Sequence, residues 1–140
     1  MKKFEFPLDK VLSVRKYKND EAEIELGKAV SRLEVLEGEL NNIAVLYSEI
    51  PLKYSGLSDI NDLSQLENYT LFLNTKKEDL LKQITAAKLV VEEKRKLYIE
   101  AHKELKVLEN LKEKAMNEYK KNVTREQDNV LDDIINSHKY

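Results

Sequence analysis

The chain contains no cysteine and no tryptophan, and only three glycines and two prolines among its 140 residues. Without cysteine it has no disulfides and no thiolate metal ligands, a usage that suits a reducing compartment. Gly27, Gly38 and Gly56 are scattered, so no glycine-rich loop can cradle phosphate and hydrolysis of nucleotide by the chain itself is not expected. His102 is flanked one helical turn away by Tyr98 and Lys106, and His138 by Ile134, so neither histidine has a ligand-type neighbour and no metal site is expected. Long hydrophobic runs are also missing. No segment approaches the roughly twenty apolar residues that span a bilayer, and residues 1–7 are not followed by an apolar stretch of signal-peptide length. A soluble protein is expected, reaching a membrane only through a partner.

What is abundant is charge, 36% of residues, alongside 41% hydrophobic residues. With helix breakers so rare, that mixture points to long helices. The pattern is explicit from Ala22 to Ile50, where apolar residues alternate in steps of four and three: Ala22, Leu26, Ala29, Leu33, Leu36, Leu40, Ile43, Tyr47, Ile50. A stripe with this heptad spacing stays on one side of a helix that pairs with another and supercoils. Projected backward it reaches Leu8, Leu12, Arg15 and Asn19. Pro7 suits a helix start and Pro51 a stop, so the first helix is predicted over 8–50, about 65 Å long.

Residues 51–74 form the expected connecting region, with a short helix over about 60–73 capped by Asp59. Thr75 with Glu78 has capping-box spacing, so a new long helix is predicted over about 75–137; one unbroken helix is the alternative. The second seam runs Leu80, Ile84, Ala87, Val91, Lys94, Tyr98, Ala101, Leu105, Leu108, Lys112, Ala115, Tyr119. The fold class is therefore all-α, an antiparallel two-helix coiled-coil hairpin with a short extra helix at the turn end, forming a single domain over 1–140. Complementary volumes favour a register with Ala22 facing Leu105, Leu26 facing Ala101 and Leu12 facing Ala115. Its blemish is Arg15 facing Lys112. A one-heptad slip is the second register considered.

The two chain ends meet in such a hairpin and carry opposite charge. The first 18 residues hold Lys2, Lys3, Lys10, Arg15, Lys16 and Lys18 against Glu5 and Asp9, net +4, whereas residues 126–140 hold Glu126, Asp128, Asp132 and Asp133 against Lys139, net −3. Mutual neutralisation explains this, and a surface for a partner is the competing reading. Lys94, Arg95 and Lys96 sit beside Glu92 and Glu93 in a chain of net charge −2, so nucleic acid is not an expected partner. Acids on an open two-helix seam lack the desolvation that tunes a catalytic pair, so no enzyme and no cofactor are expected. Tyr69 and Phe72, three residues apart, either line one exposed anchoring face or pack under the connecting region.

The amino-terminal pattern of Phe4, Phe6, Leu8, Val11, Leu12 and Arg15, followed by Glu25, Leu26, Gly27 and Ala29, resembles the FliJ family of flagellar type III export proteins. Tyr69 and Phe72 are similar to the aromatic pair in that family's middle region. The resemblance implies an antiparallel coiled coil like the gamma-subunit stalk of rotary ATP synthases, without catalytic residues. It further implies binding to the hexameric flagellar export ATPase, stimulation of it, and a link to the membrane export-gate protein, with export chaperones as further partners. Carried over, Phe4, Phe6, Leu8, Val11, Leu12 and Arg15 would contact the ATPase ring, and Tyr69 and Phe72 the gate. Lys76 and Asp79 depart from the apolar character expected around the gate contact. The implied location is cytoplasmic, peripheral to the inner membrane. The competing functions are an injectisome stalk and a structural coiled coil that dimerises; the intramolecular hairpin should be a monomer.

Overall fold

The computed structural model describes residues 2–53, 56 and 59–138. The described residues contain two helices, α1 (Asp9–Lys53) and α2 (Ile60–His138), packed against each other as a hairpin. The chain divides into two compact units. Unit 1 comprises Met1–Glu21 and Ile99–Tyr140, and unit 2 comprises Ala22–Tyr98.

The start of α1 follows from Pro7 and Leu8. The Asp9 N–H donates to the Phe6 carbonyl at 3.1 Å, and the Leu12 N–H donates to the Leu8 carbonyl at 2.8 Å, so Leu8 occupies the cap position. The carboxylate of Asp9 then lies in the first turn, where the helix dipole favours negative charge. At the other end α1 does not stop at Ile50: Pro51 lies inside the helix, which runs on to Lys53. One turn from a terminus, proline removes a single backbone bond instead of breaking a ladder, so its usual penalty shrinks. Beyond α1, Gly56 has φ of +85°, a left-handed conformation that only glycine adopts without strain.

Asp59 caps α2. Its Oδ1 accepts from the Asn61 N–H at 3.1 Å, and its carbonyl accepts from the Leu63 N–H at 3.0 Å. The separate short helix over 60–73 and the restart at Thr75 do not occur; α2 is one helix of 79 residues. Thr75 makes the reason visible. Its Oγ1 donates to the Leu71 carbonyl at 3.0 Å, the back-bond of a threonine in mid-helix, instead of accepting from a free N–H ahead of it. Thr70, Thr85 and Thr124 bond backward in the same manner.

Unit 2 holds the larger core. Leu36, Ile43, Leu73, Leu80, Ile84 and Ala87 form one buried cluster, and Leu33, Leu40, Tyr47, Ile50 and Tyr69 pack against it. Except for Tyr69 and Leu73, which lie in the stretch expected to be a separate short helix and instead extend the α2 seam, these are the expected apolar seam positions, but their alignment is the second register. Tyr47 Oη donates to the Thr70 carbonyl at 3.3 Å and is bonded to Asn74 Oδ1. The volume-matched register would have placed Tyr47 against Leu80, almost two turns away.

Unit 1 has the same slip, fixed by charge and polarity. Lys112 Nζ pairs with Asp9 Oδ1 at 2.9 Å, and Arg15 Nη1 donates to the Glu104 carbonyl at 3.0 Å. Buried Asn19, 7% exposed, meets His102 with Oδ1 3.3 Å from Nδ1. The register with Ala22 facing Leu105 is thereby overturned: it would have brought Arg15 to Lys112 and buried Asn19 against Leu108. An unpaired buried amide costs about 1–3 kcal/mol, and the like charges of Arg15 and Lys112 add to the penalty of the volume-matched register. Leu105 and Leu108 form the buried apolar part of this unit, together with Phe6.

Asp59→Ala is expected to lower stability by about 1 kcal/mol through loss of a cap, whereas Thr75→Ala should leave it unchanged or raise it slightly. Leu73, 1% exposed, should cost about 2–5 kcal/mol on replacement by alanine. Urea unfolding followed by circular dichroism at 222 nm checks all three, and a loss at Thr75 equal to that at Asp59 would argue against the continuous helix.

Candidate functional site

In unit 1 the amino-terminal segment is strapped onto α2 before α1 begins. The Tyr119 hydroxyl donates to the Lys2 carbonyl at 2.7 Å, and the Phe4 ring lies 5.4 Å from the Tyr119 ring at a 49° tilt. Tilted aromatic pairs at this separation attract through edge and face charges as well as by burial. Phe6 is buried. Of the residues assigned by resemblance to the ATPase ring, Phe4 and Phe6 therefore anchor the strap, Leu12 and Arg15 are half-buried in the seam, and Leu8 and Val11 are exposed at 40% and 42%. The apolar surface that this end offers is Leu8 with Val11, extended by exposed Val14 and Tyr17. A hydrogen bond to Glu21 and its negative charge hold the Tyr17 phenol above its usual pKa of 10.0.

The same unit contains an apolar face that sequence reading had passed over. Every described residue of α2 from Thr124 onward is exposed; the described strap meets α2 at Tyr119 through Lys2, and α1 packs further along. On this bare stretch Val130, Leu131, Ile134 and Ile135 stand at three- and four-residue spacing and are each about half exposed. At 100° per residue they occupy one side of the helix. Glu126 and Asp133 border that side on one edge, and Asp128 and Asp132 on the other. The result is an apolar stripe rimmed by carboxylates, the form of a helix that lies in a groove with basic edges. The acids were read from sequence only as a charge count; the spacing of the aliphatic residues between them was the available signal.

In unit 2 the aromatic pair assigned to the export gate is split. Tyr69 packs against the buried cluster, while Phe72 is 58% exposed with Lys76 Nζ 5.9 Å from its ring centroid. Three residues advance a helix by 300°, which sets Phe72 about 60° to the outer side of Tyr69 while the seam through Leu66 and Leu73 lies on the other, so Tyr69 belongs to the seam edge and Phe72 to the exposed flank. Near this level an open groove of about 360 Å³ is lined by Leu40, Ile43, Ala44, Tyr47, Lys77 and Leu81. It exists because small Ala44 and a lysine occupy places where bulkier apolar side chains would fill the flank of the seam.

Among the described residues no cluster of three or more His, Asp or Glu side chains could hold a metal ion, and no helix is long and apolar enough to cross a membrane. The described acids are exposed except for half-buried Glu49, and their ion pairs, such as Lys28 with Glu25 and Lys106 with Glu109, are surface contacts worth a few tenths of a kcal/mol. What these surfaces can do chemically is bind other macromolecules through apolar faces with charged borders.

The fold and its surfaces thus define an all-α helical-hairpin protein whose distinctive features are exposed faces. The chain belongs to the FliJ family: the model for the flagellar FliJ protein matches residues 4–140. Membership makes it a component related to flagellar protein export. Searches of curated proteins and of solved structures each gave no significant match.

Because Leu131 and Ile134 cover nothing, replacing both with glutamine should change unfolding free energy by less than about 0.5 kcal/mol. Tyr119→Phe, which leaves the Lys2 carbonyl without its donor, should cost about 1 kcal/mol. Thermal denaturation of the two variants distinguishes the bare tip from the strap.

Proposed function

We propose that this protein is a cytoplasmic, stalk-like part of the flagellar type III export apparatus that binds and stimulates the hexameric export ATPase and links it to the membrane export gate. The observation that carries the reading is the bare amphipathic end of α2 in unit 1, in a chain of the FliJ family. A single asymmetric helix end cannot contact six identical subunits equally, so it favours the nucleotide state of those it touches. Leu8, Val11, Leu12 and Arg15 belong to the same unit, and their assignment to the ring contact is retained with Val130, Leu131, Ile134 and Ile135 added. Phe4 and Phe6 contribute through the strap. The protein acts without cofactor and without catalysis of its own.

The gate contact is assigned to the surface around Phe72, where an exposed ring beside a lysine offers a partner both apolar area and charge. Tyr69 supports that surface from the core side. Association with the inner membrane then follows from the gate, and export chaperones are further partners of the exposed faces.

The test is the ATP hydrolysis rate of the flagellar export ATPase titrated with this protein, with light scattering to follow ring assembly. Stimulation is expected, reduced several-fold by Leu131→Asp with Ile134→Asp and by Leu8→Ala with Leu12→Ala, and unchanged by Phe72→Ala. Phe72→Ala should instead weaken binding to the gate protein's cytoplasmic part. No stimulation by a helical, monomeric protein would favour an injectisome stalk, and a dimer by sedimentation equilibrium would favour a structural coiled coil.

A further inference from the structure

Two alignments of the seams differ by one heptad, and each has its own physical merit. The slipped alternative matches volumes, with Leu12 facing Ala115 in unit 1 and Leu40 facing Ala87 in unit 2. The observed alignment carries specific polar contacts, Asp9 with Lys112, Arg15 with the Glu104 carbonyl, and Asn19 with His102 in unit 1, and Tyr47 with Thr70 and Asn74 in unit 2, beside the burial of Leu73 and the Tyr119 strap. In the alternative, Arg15 would meet Lys112, Asp9 would lie beside Glu118, and Asn19 would be buried against Leu108. A lone buried polar residue in a coiled coil fixes register at a cost in stability, and Asn19 is the one buried polar side chain among the described residues.

The link between the helices does not forbid the slip. In the alternative, Lys53 would stand opposite Asn74, 14 residues along α2 from Ile60, about 21 Å along the axis and about 23 Å once the roughly 8–10 Å between helix axes is included. The seven residue steps from Lys53 to Ile60 span about 23–25 Å when extended. The seams themselves remain apolar after the slip, since Ile43 would then meet Ile84 and Tyr47 would meet Leu80. Tyr69 and Leu73 would then face positions beyond the end of α1, so the polar contacts act together with the burial of Leu73 to hold the observed pairing.

We propose that Asp9, Arg15 and Asn19, with their partners on α2, form a register lock, and that opening it slides α2 along α1 by one heptad, about 10 Å, into a second stable pairing. Lys112 and Asp9 are accessible, with side chains 39% and 56% exposed, so a charged partner can compete for them directly. The sliding alters how far the bare end of α2 extends past Leu8, and thereby gives the hairpin two lengths of free tip. The inference does not depend on the identity of any partner.

Disulfide trapping tests it cleanly because the chain has no cysteine of its own. Leu12→Cys with Leu108→Cys reports the observed register, and Leu12→Cys with Ala115→Cys reports the slipped one; a disulfide tolerates Cα separations of about 4.4–6.8 Å, less than the slide. With the lock intact, the 12–108 link should form and the 12–115 link should be minor. Adding Asn19→Leu and Lys112→Glu removes the buried amide, sets a glutamate opposite Arg15 in the slipped pairing and repels Asp9 in the observed one. The intramolecular 12–115 product should then rise at least tenfold. An unchanged yield in a variant that keeps its helicity overturns the proposal. Should that variant lose helicity, Asn19→Leu alone decides the matter, since leucine at a seam position favours folding. It should raise the 12–115 yield several-fold, and no rise overturns the lock.

Discussion

A seam between two helices has one row of side chains on each side with which to exclude water, so the alignment of those rows controls everything attached to them. In this chain the alignment is set less by the apolar residues, which repeat and so fit at more than one offset, than by polar groups that fit at only one. Asn19 at 7% exposure can be buried beside His102 and not beside Leu108, and Lys112 has a carboxylate at Asp9 and a like charge at Arg15 one heptad away. Once that offset is taken, the position of Tyr47 among Thr70 and Asn74 and the burial of Leu73 follow the same numbering.

The helices and their apolar stripes were legible because periodicity is a local property. Leu36, Leu40 and Ile43 in one stripe and Leu80, Ile84 and Ala87 in the other lie where the heptads put them. The offset between stripes was not legible from volume, because alanines spaced at heptad multiples accept large partners in either alignment. Thr75 misled in another way: threonine followed by an acid three residues later marks a helix start only when the preceding residues are not already helical, and here the hydroxyl found the Leu71 carbonyl. Pro51 likewise signalled an end at Ile50 that arrived three residues later, since a proline in a last turn offends only one carbonyl.

The surfaces were legible in part. The amino-terminal aromatics were singled out, but from sequence an aromatic that grips its own chain looks the same as one kept for a partner. Phe4 on Tyr119 and buried Phe6 belong to the first kind, exposed Leu8 and Val11 to the second. The same distinction separates Tyr69, packed into its cluster, from Phe72. The carboxyl-terminal face of Val130, Leu131, Ile134 and Ile135 was overlooked because the four-three spacing continued from Tyr119 falls on Asn122, Glu126, Asn129 and Asp133, so these aliphatic residues lie off the seam.

The absence of an opposing helix beyond Tyr119 also sets the timescale on which the end of α2 opens. An isolated helix of about fifteen residues is marginal in water, and this stretch gains support only from the turns that lead into it. Its backbone amides are therefore the part of α2 that exchanges with solvent first, close to the zero end of the range of local opening energies, while amides beside Leu105 and Leu108 wait for the hairpin to part. Any body that closes over Leu131 and Ile134 must also hold these turns in helical form. Occupancy of the tip is thus recorded as slowed deuterium uptake in a segment that is otherwise among the fastest in the molecule.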